Sequence, residues 1–214
     1  HPERKGISFE ALEPTISDEG IDYSHVQLGF ENEGRVASIT VHAPTDLPAI
    51  PTDGSTLDSS WYPIRMFREL DDALIRLRFN YPKVGLVILK TRGDAGKVLE
   101  MDAQLNAHKD NWFVSKVRHH IKRVLKRLDL SAKSFFALID EGSCFAGTFV
   151  EFALAADRAY MLEEDGVEIK LSDMNTGAYP MSNGLSRLET KLLGEPQLFE
   201  SLLQNREPFE AADA

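Results

Sequence analysis

The sequence predicts an α/β domain, a largely parallel sheet core surrounded by helices, and three observations carry that prediction. Two short apolar runs, VGLVILK at residues 84–90 and FFALI at 135–139, read as strands buried on both faces. The segments around them space their apolar residues by three and four with charges between, the period of amphipathic helices. Strands alternating with helices imply parallel pairing through right-handed crossovers.

The elements follow in order. Residues 1–24 are polar, contain Pro2 and Pro14 and hold no sustained period, so they read as an arm ahead of a single domain over 25–214. Residues 25–42 (HVQLGFENEGRVASITVH) alternate apolar and polar positions around a Glu-Gly turn signal, a hairpin. Four prolines in residues 43–63 make that stretch a surface loop, and loops of such length inside compact domains are often functional. Ile64, Phe67, Leu70, Leu74 and Leu77 form the stripe of a helix over 64–79, and a second helix is expected over about 111–128. Residues 147–159 (GTFVEFALAADRA) are apolar nearly all round, which predicts an interior helix.

Composition bounds the function. A chain of 214 residues, 43% hydrophobic, can bury one sizeable core. A net charge of -10 repels a phosphate backbone and argues against a nucleic-acid partner. The lone Cys144 excludes an internal disulfide framework. No apolar run approaches the roughly 18 to 20 residues of a membrane span, and no apolar leader stands at residue 1, so a cytoplasmic location without a membrane partner is expected.

The segment at 134–160, SFFALIDEGSCFAGTFVEFALAADRAY, carries the most chemistry: a buried strand, a glycine turn, then a helix opening at Gly147 and Thr148. First-turn amides lack partners inside the helix and carry the positive end of its dipole, so an oxygen anion is stabilised there. Glu151 follows one turn later among Phe149, Val150, Phe152 and Leu154, where burial raises a carboxyl toward the range useful for acid or base work. Asp157, beside Arg158, reads as an ordinary ion-paired residue.

These residues resemble the enoyl-CoA hydratase, or crotonase, superfamily, whose pattern places a Glu six residues before an Asp after a strand, a turn and a Gly-Gly run; Glu151 and Asp157 have that spacing. Residues 169–188 (IKLSDMNTGAYPMSNGLSRL) continue the likeness without a gap and set Asp173 on the family's second Glu. Residues 84–105 are similar to the family's strand and loop ending in Gly-Ala-Asp. The resemblance implies a crotonase-like fold of stacked ββα units, with the family's terminal helices expected beyond this chain. It implies an acyl-CoA substrate, oxyanion donors at the backbone amides of Met101 and Thr148, and an acid-base pair of Glu151 and Asp173. Preorganised amides of this kind are each worth about 3 kcal/mol. It also implies a homo-oligomer, with no cofactor beyond the coenzyme A that the substrate carries.

Departures narrow the reading. The Gly-Gly run is reduced to Gly147-Thr148, the second Glu has become Asp173, and an insertion fills residues 45–61. They resemble a ring-opening branch of the superfamily, which implies attack of water on an epoxidised or dihydrodiol benzoyl-CoA with release of formate and a semialdehyde thioester. The rival readings are an enoyl-CoA hydratase or isomerase and a non-catalytic acyl-CoA-binding module. Individual residues keep plainer alternatives: Glu151 as a structural carboxylate paired with a base, Asp173 as a turn or cap residue, Cys144 as a small buried hydrophobe. His119 and His120 point about 100° apart on a helix, which disfavours a metal site. RGDAGK lacks the spacing of a nucleotide-triphosphate loop. The basic stretch VSKVRHHIKRVLKRLDLSAK reads either as a solvated face or as a contact for coenzyme A phosphates.

Overall fold

A computed structural model describes residues 6–51, 57–204 and 207–212; the expectations for residues 1–5, 52–56, 205–206 and 213–214 lie outside the described residues. Among the described residues, one sheet of seven strands runs in sequence order. Strands β1 (Thr15–Ile16), β2 (Gly20–Asp22), β3 (Val26–Glu31) and β4 (Val36–His42) pair antiparallel. From β4 onward, β5 (Leu86–Arg92), β6 (Ser134–Ile139) and β7 (Arg158–Met161) pair parallel. The change of sense follows from the connections. Short turns join the first four strands, whereas each later pair is bridged by a helical crossover.

The hairpin lies where its alternation placed it. Leu28 pairs with Ile39 and Val26 with Val41, and all four point into the core. Its turn holds Asn32, Glu33 and Gly34 at φ of 49°, 55° and 75°, left-handed conformations that Asn and Gly tolerate best. Helix α1 (Tyr62–Phe79) buries Phe67, Leu70 and Leu77 and packs on β3 and on α3 (Trp112–Asp129). Asn111 caps α3, its side chain accepting the amides of Phe113 at 2.9 Å and Val114 at 3.3 Å.

Four expectations are corrected. Within the expected arm, residues 15–22 form β1 and β2, because Ile21 pairs beside Leu28 and is fully buried; strands this short leave no period to read. The strands β5 and β6 are fully buried on one face only, through Val87, Leu89, Phe135, Ala137 and Ile139, while Leu86, Ile88 and Phe136 remain partly covered. Residues 95–107, read as part of a loop, form helix α2 (Ala95–Ala107), opened by Asp94 accepting the Gly96 amide at 2.7 Å. Its buried positions, Val98, Met101, Asp102 and Leu105, have helical spacing, and the carboxylate in that stripe hid the pattern.

The fourth correction concerns 147–159. A 3-10 turn (Gly147–Phe149) leads into a short helix α4 (Val150–Ala155), after which the chain becomes β7. Asp157 causes the stop: its amide donates to the Phe135 carbonyl at 2.8 Å and its carboxylate accepts the Phe135 amide at 2.8 Å, zipping the chain onto β6 instead of pairing with Arg158. A further 3-10 turn (Asp173–Thr176) and helices α5 (Arg187–Lys191) and α6 (Pro196–Gln204) follow.

Candidate functional site

Helix α2 meets the turns at Gly147 and Asp173, and the contact is made by one carboxylate. Asp102 is 2% exposed. Its Oδ2 accepts the Thr148 amide at 2.8 Å and the Ser172 hydroxyl at 2.6 Å, and its Oδ1 accepts the Thr148 hydroxyl. Thr148 Oγ1 also lies 3.2 Å from the hydroxyl of buried Tyr179. The approach demands glycine at 147: the residue has φ +45°, and a Cβ there would stand 1.9 Å from Asp102 Oδ2. Gly147→Ala is therefore expected to expel the carboxylate and to cost at least the ~1–3 kcal/mol of a strained backbone, read as a lowered midpoint in urea unfolding.

Burial pushes the Asp102 carboxyl up to about 7 against the opposing pull of the Ser172 and Thr148 hydrogen bonds. It borders a cleft of about 230 Å3 between α2, with Leu99, Ala103 and Asn106, and the segment carrying Ser172, Asp173 and Met174. Two carboxyl side chains thus share this cleft, Asp102 from the helix and exposed Asp173 from the facing turn. One is buried, with its titration raised to about 7, and the other is exposed.

Glu151 belongs to a different arrangement. It is 2% exposed; its Oε2 accepts Arg187 Nη1 at 2.9 Å and its Oε1 accepts Asn175 Nδ2 at 2.7 Å. Arg187, 1% exposed, also grips Asp129 with both arms of its fork at 2.8 and 2.6 Å and donates to the Tyr179 carbonyl at 3.2 Å. Burial raises the Glu151 carboxyl, opposed by Arg187 and Asn175. This cluster ties the end of α3, helix α4 and the start of α5 together.

The structure brings Asp173 to a cleft with Asp102, not with Glu151, whose carboxylate is held by Arg187 and Asn175 in the manner of a structural ion pair. Thr148 lies beside that cleft with its amide given to Asp102. Met101 sits inside α2, where an amide serves the helix's own ladder, and its side chain is fully buried. Asp102, Ser172, Asn175 and Arg187 escaped the sequence reading. A signal existed for three of them: Asp102 interrupts an apolar stripe, and Ser172 with Asn175 has the spacing of a reciprocal helix cap, which both side chains form. Cys144 is buried, its thiol pushed up to about 11 by burial, as suits a packing residue.

The chain has the crotonase fold. The solved enoyl-CoA hydratase from Bacillus anthracis superposes with a TM-score of 0.58 at 15% identity, covering 89% of this chain and 66% of that one. An enoyl-CoA hydratase/isomerase from Xanthobacter autotrophicus Py2 superposes with a TM-score of 0.55 at 20% identity, covering 87% and 62%. In sequence, the chain is 44% identical over 196 residues to the benzoyl-CoA-dihydrodiol lyase of Aromatoleum evansii, a match covering 89% of this chain and 35% of that protein. The chain thus spans about a third of the length of that curated relative. No family model matches it.

Proposed function

We propose that this chain is the acyl-CoA-handling part of a lyase that opens the ring of an epoxidised or dihydrodiol benzoyl-CoA by adding water, releasing formate and an aliphatic semialdehyde thioester. The observation that carries the reading is the 44% identity sustained over 196 residues with a benzoyl-CoA-dihydrodiol lyase. The cleft beside Thr148 supports it. Opening an oxygenated ring requires a group that gives a proton and another that takes one from water. Asp102, holding its proton near neutrality, fits the first role, and Asp173, in the water-open part of the same cleft, fits the second.

The oxyanion role for the amides of Met101 and Thr148 remains part of the proposal under two conditions. A thioester oxygen can take the Thr148 amide only when the Asp102 carboxyl releases it, and Met101 can contribute only if α2 opens one turn. Glu151, held by Arg187, acts in this reading as a positioning residue that fixes α4, and with it the Thr148 turn. The reaction draws on no cofactor beyond the coenzyme A of its substrate. The same reading places the full-length protein in the cytoplasm as a homo-oligomer, for which exposed Tyr160, Leu162, Leu193 and Leu198 offer apolar surface; among the described residues no helix is long and apolar enough to cross a membrane.

The test is product analysis by mass spectrometry after incubating the full-length protein with 2,3-epoxybenzoyl-CoA. Formate and a ring-opened thioester in equal amounts are expected. Hydration of crotonyl-CoA with no turnover of the epoxide overturns the reading in favour of a hydratase.

A further inference from the structure

The basic stretch of α3 takes no part in the site above, yet it does not simply face water. Across a cleft of about 640 Å3 it looks onto α1. The floor is apolar, built from Ile64 and Ile75 of α1 and Phe113 and Val117 of α3. Three cations, Arg68, Lys116 and Arg123, stand around it, and none has a carboxylate within ion-pair distance among the described residues.

The acids on the same wall are already engaged. Asp71 accepts Arg127, while Asp72 accepts Arg76 at 2.7 Å and the Tyr23 hydroxyl at 2.6 Å. Arg123 donates to His120 Nδ1 at 3.0 Å, and burial together with Arg123 pushes that imidazole down to about 4, so it is neutral at physiological pH. Arg68 lies over the Phe9 ring at 4.8 Å and donates through Nη2 to the Glu10 carbonyl at 2.7 Å. Its Nη1 is buried with no hydrogen-bond partner among the described residues. A buried donor on a charged fork is costly unless something accepts from it, and a carboxylate or phosphate accepts from a guanidinium in a planar, two-bonded geometry.

We propose that the α1–α3 cleft is a binding site for an organic anion, its carboxylate or phosphate oxygens held by Arg68, Lys116 and Arg123 and its apolar body lying on Ile64, Ile75, Phe113 and Val117. The volume is within the range that admits drug-sized ligands. Local charge is the unusual feature: a chain of net charge -10 gathers three cations without an ion-pair partner among the described residues over an apolar floor. The site is separate from the Asp102 cleft and stands whether or not the ring-opening reading does.

Benzoate and phenyl phosphate are the probes, with benzyl alcohol and inorganic phosphate as controls, titrated into the isotope-labelled chain and followed by amide chemical shifts. Saturable shifts are expected on α1 and α3, with a Kd below about 1 mM for at least one organic anion. Arg68→Gln is expected to weaken binding about tenfold. Lys116→Gln, at an exposed position that leaves thermal unfolding unchanged, is expected to weaken it about threefold. Preference for benzoate or for phenyl phosphate identifies the head group. Benzyl alcohol binding as tightly as the anions, inorganic phosphate binding as tightly as phenyl phosphate, shifts that never saturate, or indifference to both substitutions overturns the proposal.

Discussion

Replacing Asp102 by Asn in the full-length protein is expected to lower kcat on the epoxidised thioester by about 100- to 10,000-fold while leaving KM nearly unchanged. In the proposed mechanism this carboxyl, raised by burial to about 7, is the proton donor, and the amide that replaces it cannot give up a proton. Its NH2 would also face the donors Thr148 N–H and Ser172 O–H, which now share one carboxylate oxygen. Steady-state kinetics decide the matter, and a variant with wild-type kcat would remove Asp102 from the chemistry.

The same substitution has a signature in stability. A carboxyl whose folded pKa exceeds its unfolded value holds its proton more tightly in the folded state. Stability from this group is therefore complete below the unfolded pKa and declines as pH rises through the folded one. For Asp102 the window runs from 3.8 to about 7, worth about 4 kcal/mol. His120, pushed down from 6.5 to about 4, contributes the opposite slope over an overlapping range. The informative quantity is thus the difference between wild type and Asp102→Asn in urea unfolding at each pH. That difference should be largest in the variant's disfavour near pH 4 and shrink toward pH 7, with the sign set by the proton that only wild type binds.

Arg187→Ala is expected to be the most destabilising single change in the described chain, at about 3–5 kcal/mol. It leaves Glu151 and Asp129 buried without their shared cation. Glu151→Gln should cost less, because Asn175 can still donate to the retained amide oxygen. The two effects should not add: Glu151→Gln combined with Arg187→Met, which removes charge from both sides, should recover part of the loss in thermal unfolding. Activity separates positioning from chemistry. If Glu151 only holds α4 in place, the Gln variant keeps its kcat within about tenfold once the folded fraction is corrected for. A deeper loss at unchanged thermal stability would return Glu151 to the acid-base role that the family resemblance implied.

The α/β class, the β3–β4 hairpin, α1, α3 and β6 were readable because each rests on local hydrophobic period, which burial on one face imposes on the chain directly. The helix at Gly147 was legible in its start and not in its end, since the Asp157 carboxylate that terminates it does so through Phe135, a partner 22 residues away. Strands β1 and β2 were hidden because two or three residues carry no period; their place is decided by the edge of β3 that they cover.

The candidate site divides along the same line. The residues alone pointed to one buried carboxyl, Glu151, beside a glycine-opened turn, because Gly147, Thr148 and Glu151 are neighbours in the chain. Which carboxyl meets which donor was decided by tertiary structure: Asp102 reaches Thr148 from 46 residues away, Ser172 joins it from 70, and Arg187 claims Glu151 from 36. Hydrogen bonds and ion pairs discriminate over a fraction of an ångström, whereas sequence spacing fixes position only along one element. Helix packing therefore set Asp102, an acid that sequence spacing did not single out, against Thr148 and left Glu151 to Arg187.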